Sequence, residues 1–452
     1  MRNDNDTIKV VEFTKEMRND YTILVPNMLP IHWEFVKGIF RKYGYNMEIL
    51  NNGGQKVIDE GLKYVHNDTC YPALLVIGQF MDAIKSGEYD VNKIALLISQ
   101  TGGGCRASNY IHLLRKALNK AEYSQIPVIS LNASGLEKNS GFSLSLPMLL
   151  KSAAAVAYGD ALMLLNNQVK PYEDNKGESE KLVQKWLSYL IAEMDRNRGV
   201  KLSEVRKNLD EIASSFASIP MTKTPKVKVG VVGEIYVKYA SLGNNNLEDF
   251  LYKEDCEVMI PGLLGFLMYC VENTVLDTEL YGHSKLKGFG AKKINELLAK
   301  YEEAINRAVR KHECFTAPTG FYHVKHLGDQ VIGLGTKMGE GWLLPGEMME
   351  LIELGYENIV CAQPFGCLPN HIIGKGLIRK IKGIHPDSNI VPIDYDPGAT
   401  RVNQENRIKL MLAVAKEKLQ TQEMLKEHLK FAENNLALDD VDSGVHILDQ
   451  IN

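Results

Sequence analysis

The chain has little net charge and no long apolar run. Lysine and arginine together number 52 against 56 aspartates and glutamates, which leaves a formal net charge of −4 at pH 7. This balance gives no electrostatic reason to expect nucleic acid or an anionic membrane as a partner. No apolar run reaches the length of a membrane span, and residues 1–20 are too polar for a signal or transit peptide. These features predict a cytoplasmic protein.

Cysteine is also scarce, and several familiar motifs are missing. Seven cysteines without secretory context do not suggest a disulfide framework, so metal binding or redox chemistry is the favoured use. The sequence has no Cys-x2-Cys pair, no Gly-Lys-Ser/Thr P-loop, no dinucleotide fingerprint and no nucleophile elbow. Zinc-finger, P-loop nucleotide-hydrolase and serine-hydrolase functions are therefore not supported.

What the sequence does contain is an alternation of short apolar strands and helical patterns. Strands are predicted at 22–26, 46–50, 93–98, 127–131, 226–232, 256–260, 358–360 and 389–393. Such alternation predicts an α/β fold whose parallel sheets are covered on both faces. The predicted divisions are a flexible N-terminal arm (1–20), a first α/β lobe (21–170), a helical connector (171–222), a second α/β lobe (223–400), a C-terminal helix (401–432) and a loosely ordered tail (433–452).

The stretch from Cys361 to His371 is the most informative motif. Cys361 and Cys367 both follow the predicted strand 358–360, where open α/β sheets collect ligands. Prolines stiffen this stretch, and Gly366 allows a sharp turn or a close approach. Two thiols on a stiff loop suit a soft metal or an iron–sulfur cluster. The alternative is a pair of small buried cysteines packed beneath the loop.

Two further cysteines occupy similar positions. Cys105 follows three glycines, Gly102, Gly103 and Gly104, and precedes a helix predicted to start near Arg106. Exposed backbone N–H groups and the helix dipole suit an anion there, although a flexible turn explains the glycines equally well. Cys70 likewise stands just before a predicted helix.

The remaining candidates are weaker. Cys256 and Cys270 lie in apolar segments, so core packing is the better explanation for both. Cys314, in a predicted loop, stays open as a spare ligand. The loop containing Glu340 and Trp342 could form the wall of a site, or simply cap the helix that follows it.

Taken together, these motifs resemble the superfamily of 2-hydroxyacyl-CoA dehydratase components, benzoyl-CoA reductase subunits and double-cubane cluster proteins. The chain is most similar to the C-terminal module of large acyl-CoA dehydratase activases, here without ATPase domains. The resemblance runs from about residue 20 to residue 420, and its most specific string is Pro-Phe-Gly-Cys-Leu-Pro-Asn-His at 364–371. The other matching stretches are 67–72, 100–106, 232–236, 339–342 and 392–396.

The resemblance implies two Rossmann-like lobes with an iron–sulfur cluster in the cleft between them. It transfers the cluster ligands to Cys70, Cys105, Cys361 and Cys367, enough for one [4Fe–4S] cluster, whereas a double cubane would need more thiolates. It also implies a separate ATP-dependent activase as electron donor. A homodimer, or internal pseudo-symmetry of the two lobes, would match the two-fold axis of such an activase.

Three hypotheses follow. The first is a cluster protein that accepts low-potential electrons for reduction or radical dehydration of a small substrate, which could be CoA-linked. The second is a non-catalytic partner or regulatory module with a structural cluster. The third is a small-molecule binder that uses residues 102–104.

Overall fold

The computed structural model describes residues 10–66, 68–101, 103–132, 137 and 139–445, without the side chains of 427 and 430–445. Eight strands are present in these ranges: β1 Thr22–Pro26, β2 Asn46–Leu50, β3 Ile94–Ser99, β4 Val128–Leu131, β5 Val227–Gly233, β6 Cys256–Met259, β7 Asn358–Pro364 and β8 Asn389–Tyr395.

The helices of the first lobe and the connector are α1 Met17–Asp20, α2 Pro30–Lys42, α3 Gln55–Tyr64, α4 Tyr71–Lys85, α5 Tyr110–Lys120, α6 Leu146–Val169, α7 Glu178–Asp195 and α8 Leu202–Ala217. Those of the second lobe and the C-terminal segment are α9 Ile235–Tyr239, α10 Ser241–Asn244, α11 Leu247–Lys253, α12 Leu263–Tyr281, α13 Lys285–Arg310, α14 Phe321–Val331, α15 Leu343–Glu353, α16 Leu368–Asn370, α17 Ile378–Ile384 and α18 Arg401–Val445. A 3₁₀ turn, Arg106–Asn109, precedes α5, and a π turn, His371–Lys375, follows α16.

The strands form two four-stranded sheets with the same topology. The first has the order β2-β1-β3-β4 and the second β6-β5-β7-β8, and every pairing is parallel. In each sheet the second strand is added on one side of the first strand and the third strand on its other side. The strand order therefore switches between the first and third strands. Ligands bind at such switch points, beyond the carboxyl ends of the strands. The α/β class and the two parallel sheets predicted from the sequence are therefore confirmed.

Alternating residues on the strands build two cores that each extend through both lobes. On β1, Ile23 and Val25 pack in one core while Leu24 packs in the other, and on β7, Ile359 and Val360 divide in the same way. This is the period of two expected for strands that are buried on both faces. Both cores therefore continue across the boundary between the lobes.

Helix α6 corrects one expectation from the sequence. By length and composition it could cross a membrane, but 78% of its most apolar window is buried inside the protein. It packs against α2 of the first lobe, against α8, and against α12 and α13 of the second lobe. Its apolar surface is thus that of a central core helix, and it is the one such helix in the described part of the chain.

Both ends of the chain also differ from the expectation. The predicted flexible arm includes Phe13, which is fully buried and whose backbone N–H donates to Asn139 Oδ1 at 3.0 Å. Residues 1–9 lie outside the described residues. At the other end, α18 continues past the predicted limit of 432 to Val445, because no glycine or proline interrupts residues 401–443. The last seven residues of the predicted tail, 446–452, again lie outside the description.

Candidate functional site

Three of the four candidate cysteines line one cavity between the lobes. Cys70 and Cys105 reach it from the first lobe and Cys367 from the second, and the cavity has a volume of about 570 Å³. Cys70 and Cys367 are buried, whereas Cys105 is half-buried. The cavity lies beyond the carboxyl ends of β3 and β7, the third strand of each sheet. These three cysteines therefore lie at the edge of the sheets where the sequence placed them.

All three cysteines are N-cap residues, each followed directly by a helical turn. Cys70 caps α4, Cys105 caps the 3₁₀ turn, and Cys367 caps α16. Burial raises the pKa of all three thiols, and backbone N–H groups of the next turn oppose this rise in part, including those of Ala73 at Cys70 and Asn370 at Cys367. Helix N-termini favour a thiolate for this reason.

Two features of the first lobe position Cys70, namely the start of α4 and Tyr110. Pro72 stands in the first turn of α4, where its missing N–H would have no helical partner in any case. The Cys70 Sγ lies 2.9 Å from the Tyr110 Oη, at the start of α5. Burial raises the pKa of the Cys70 thiol to about 11, and the Tyr110 hydrogen bond opposes that rise.

Cys367 reaches the cavity through a tight turn that touches the other lobe. Gly366 has φ +71°, and a Cβ at this position would lie 3.1 Å from the Cys70 Cα. Next to it, the Tyr71 N–H donates to the Phe365 carbonyl oxygen at 2.9 Å. A glycine is therefore needed here for both its backbone angle and its closeness to Cys70.

For the glycine-rich loop before Cys105 the sequence left an anion-binding loop and a flexible turn equally open, and the structure shows a contact of this loop with the second lobe. Neither Gly103 nor Gly104 has a positive φ, and a Cβ on Gly103 would meet open space. A Cβ on Gly104 would lie 2.2 Å from the Met338 Sδ, so Gly104 makes room for a side chain of the second lobe. Burial raises the pKa of the half-buried Cys105 thiol, and the backbone N–H groups of Ala107 and Arg106 oppose that rise. Gly102 lies outside the described residues.

Cys361 does not line the cavity, which corrects its placement on the turn. Strand β7 continues to Pro364 because its last residues pair with β8, so Cys361 is an interior strand residue. It is fully buried on the same face as Ile359, in the other core from Cys367. Its Sγ accepts a hydrogen bond from the Gln363 Nε2 at 3.6 Å. Cys361 is thus held inside the sheet, whereas Cys367 lies beyond the end of β7, on the turn that leads into α16.

Two glutamates complete the cavity wall, and the sequence singled out only one of them. Glu234 caps α9 after β5, and its Oε2 accepts from the Val237 N–H at 2.9 Å. Glu340 is 6% exposed, and its Oε1 accepts from the Ile235 N–H at 2.9 Å. Burial raises the pKa of both carboxyl groups. Repulsion by Glu340 raises the pKa of Glu234 further. The pKa of Glu234 reaches about 8, so its carboxyl group holds a proton at neutral pH.

An amide joins the second glutamate to the third cysteine. The Asn370 Nδ2 donates to the Glu340 Oε2 at 2.6 Å and lies 3.4 Å from the Cys367 Sγ. Asn370 is fully buried, so this bridge is shielded from water. Any change of charge at the thiol is thus transmitted directly to a carboxyl group.

Other sequence candidates lie elsewhere. Trp342 is fully buried and packs edge-on against Tyr269, with ring centroids 5.0 Å apart, so it belongs to the core. Cys314 packs at the edge of the same core and does not line the cavity. Cys256 is buried as expected, whereas Cys270 is exposed on α12, so core packing is wrong for Cys270.

The donor set of the cavity suits a cluster better than a single ion. Within the described residues, no three histidine, cysteine or carboxylate side chains are close enough together to hold one metal ion. An iron–sulfur cluster separates its ligand sulfurs more widely than an ion does, and thiolates are its usual ligands. Cys70, Cys105 and Cys367 are the residues that would hold a cluster in this cavity.

Comparisons with known proteins add no assignment. No protein-family model matches the chain, and no curated protein matches it. The functional reading consequently depends on the geometry above and on the motifs quoted from the sequence.

Proposed function

We propose that this protein carries a low-potential iron–sulfur cluster in the cleft between its lobes and accepts single electrons there. The observation that carries the proposal is the convergence of Cys70, Cys105 and Cys367 on one cavity from two separate sheets. A cluster bound there would supply one-electron chemistry at low potential. The fourth candidate, Cys361, is buried on the opposite face of β7, so we propose three protein thiolates rather than four.

Three thiolates would leave one coordination position of a [4Fe–4S] cluster for another ligand. The cavity of about 570 Å³ has room beside the thiols for a small molecule, which supports a role in reduction or radical dehydration of a small substrate. Glu234 and Glu340 would then hold protons next to the bound molecule. Dehydration and reduction both require a proton at some step, and a buried carboxyl with raised pKa is a suitable donor.

The protein groups around the thiols tune a bound cluster in two directions. Hydrogen bonds from Tyr110 to Cys70 and from Asn370 to Cys367 withdraw negative charge from sulfur and raise the reduction potential. Negative charge on Glu234 or Glu340 lowers it. Because the thiols are neutral at pH 7 without metal, cluster insertion must release their protons.

The mouth of the cavity supports docking of an electron-donating partner. Three residues that line it expose large apolar side chains: Met338 by 48%, Leu368 by 68% and Ile372 by 60%. Exposed apolar groups gathered at a functional opening are typical of interaction sites. We propose that a separate ATP-dependent activase covers this rim and delivers the electron.

The first experiment measures iron and acid-labile sulfide after anaerobic purification. We expect about four of each per chain in the unchanged protein. Cys367→Ser should lose most of the iron, whereas the matched variant Cys361→Ser should keep it and lose only folding stability. Equal iron loss in both variants would contradict the three-thiolate site, and a colourless, iron-free protein would reject the cluster altogether.

The second experiment tests electron acceptance by following the cluster by EPR after adding reduced activase and ATP. The expected result is an ATP-dependent signal that weakens when Leu368 and Ile372 are both replaced by glutamate. A cluster that stays unreduced under these conditions, although a chemical reductant reduces it, would assign it a purely structural role.

A further inference from the structure

A second cavity lies beyond the carboxyl end of β6, apart from the cavity that the cysteines line. Its volume is about 80 Å³, and the two cavities share no lining residue. Residues 259–262, which lead from β6 into α12, form one side of it, and α13, α14 and α15 contribute most of the rest. We call this space the acidic cavity because four carboxylates line it: Asp160, Glu302, Glu347 and Glu350.

Two of the four carboxylates are already compensated by the fold. The Asp160 side chain accepts from the first two backbone N–H groups of α12 at 2.8 Å each, and its Oδ1 lies 2.8 Å from the His32 Nε2. Glu347 forms a buried ion pair with Lys238, whose Nζ lies 3.1 Å from the Glu347 Oε1. Asp160 and Glu347 are therefore structural groups, and neither offers a free oxygen to a ligand.

The other two carboxylates, Glu302 and Glu350, each keep one oxygen free. The Glu350 Oε1 accepts from the N–H and the hydroxyl group of Thr319, at 2.8 and 2.6 Å, and the Glu302 Oε1 accepts from the Phe321 N–H at 2.8 Å. Neither Oε2 has a hydrogen-bond or ion-pair partner in the described part of the chain. Glu350 is only 6% exposed, and both Oε2 atoms are accessible on the cavity wall rather than closed off inside the protein.

No positive charge balances these two carboxylates. Lysine, arginine and histidine are absent from the residues that line the acidic cavity. Burial, and after it repulsion by Glu350, raises the pKa of Glu302 to about 7, and burial raises the pKa of Glu350 as well. A carboxylate that is buried without a cation is destabilised, so a cation that reaches both free oxygens would be held strongly.

The spacing of the carboxylates and the apolar walls decide which kind of cation fits. Within the described ranges no three histidine, cysteine or carboxylate side chains are close enough together to hold one metal ion. A primary ammonium group carries three N–H donors, so it can join two carboxylates without that close arrangement. Leu264, Phe321 and Val324 line the same space and suit a short alkyl group, and the volume admits only a few non-hydrogen atoms.

We propose that the acidic cavity binds a small primary alkylammonium ion, such as ethylammonium, between Glu302 and Glu350. Its N–H groups would donate to the two free Oε2 atoms as charge-assisted hydrogen bonds. Its position beyond the end of a parallel strand is one where α/β sheets collect ligands. This site does not depend on the iron–sulfur cluster.

The experiment titrates the full chain at pH 8 with ethylamine hydrochloride, by calorimetry and ligand-observed NMR. Ethanol has the same shape without the charge, tetramethylammonium has the charge without N–H donors, and calcium chloride supplies a metal ion. Glu302→Gln and Glu350→Gln each remove one negative charge with little change of shape. Gly265→Leu adds a side chain on the cavity wall, at a helical position where an added Cβ meets no atom within 4 Å. Glu303→Gln, an exposed position next to Glu302 on α13, is the matched control.

We expect saturable binding of ethylammonium, weakened about ten-fold or more by each of the three cavity variants, which corresponds to about 1.4 kcal/mol, and unchanged in the control. Iron content should stay the same in all variants, which separates this result from the fate of the cluster. No saturable binding of ethylammonium, equal binding of ethanol or tetramethylammonium, or preferential binding of calcium would overturn the proposal. Binding that survives both Glu302→Gln and Glu350→Gln would overturn it as well.

Discussion

The two lobes share one topology but contribute different chemistry to their common cleft. Each sheet places a cysteine beyond its third strand, Cys105 after β3 and Cys367 after β7. The first lobe adds a second thiol, Cys70, after its second strand. The second lobe adds Glu234 after its first strand and Glu340 before α15. The first lobe thus contributes two of the three thiols, and the second lobe contributes one thiol and both carboxyl groups.

The lobes also fix their cysteines by different means. The first lobe places Cys70 at the start of α4, which packs tightly against α3 through glycines, while the loop before Cys105 is open. The second lobe places Cys367 through one strained turn at Gly366 that presses against Cys70. A substitution that disturbs the helix packing around Cys70 should therefore lower the free energy of unfolding. A substitution in the turn before Cys367 should mainly disturb the local position of that cysteine.

The largest effect is expected where α4 meets α3. In Gly78→Ala the new Cβ would lie 2.1 Å from the Val57 carbonyl oxygen, and this backbone contact cannot be relieved by a side-chain movement. We expect a loss of about 3 kcal/mol in the free energy of unfolding, measured by urea denaturation. Gly290→Ala, in α13 with no atom within 4 Å, should be neutral or slightly stabilising. Equal stability of the two variants would contradict the close packing of α4 against α3 at Gly78.

The turn of the second lobe is tested by Gly366→Ala. The positive φ and the contact with Cys70 together should cost about 1–2 kcal/mol and also lower iron retention. Gly87→Ala has a similar φ of +82° with nothing within 4 Å, so it should cost stability but keep the iron. Gly103→Ala, in the open loop of the first lobe, should change neither. Iron loss in Gly103→Ala but not in Gly366→Ala would contradict this prediction, because it would mean that the loop before Cys105 and not the turn before Cys367 controls iron retention.

The proton-bearing role of the second lobe predicts a pH effect in the cluster-free protein. Burial and then Glu340 raise the pKa of Glu234 from 4.5 to about 8. The folded state therefore holds a proton that the unfolded state releases, so stability declines as the pH rises from about 4.5 to about 8. Glu234→Gln should remove much of this decline and be more stable than the unchanged protein at pH 8 by about 1 kcal/mol, because Glu234 is only half-buried.

Urea denaturation between pH 5 and pH 8.5 measures this difference. The exposed substitution Glu279→Gln is the control and should leave the pH profile unchanged. Parallel profiles for the Glu234→Gln variant and the unchanged protein would show that Glu234 is ionised throughout.

The smallest effect concerns the hydrogen bonds to the two buried thiols. Tyr110→Phe removes the 2.9 Å contact to the Cys70 sulfur and should make the reduction potential of the cluster more negative, as measured by a redox titration followed by EPR. Asn370→Leu removes the longer 3.4 Å contact to Cys367 and should act in the same direction. A shift toward positive potential in Tyr110→Phe would show that this hydroxyl does not donate to the sulfur.

The sequence predicted the sheets well and the cysteine set only in part. All eight predicted strands are present, because each is a short apolar run bounded by turn residues. The error at Cys361 has a specific cause: β7 extends to Pro364 through pairing with β8, which no local pattern reveals. A local signal did distinguish Cys361 from Cys70 and Cys367. Cys70 and Cys367 each have a proline two residues later, which is the pattern of an N-cap before a helix, and Cys361 does not.

The sequence by itself determined the α/β class, the strand positions and the edge of each sheet where the cysteines collect, because these follow from short-range periodicity and helix-start chemistry. Tertiary structure alone decided which thiols meet. It buried the Cys361 side chain in a core, on the same face of β7 as Ile359. It also placed Glu234 and Glu340, which are far apart in the chain, on the wall of one cavity. It enclosed the acidic cavity as well, because the four carboxylates that line it come from three helices, α6, α13 and α15, that only the packing of the fold brings together.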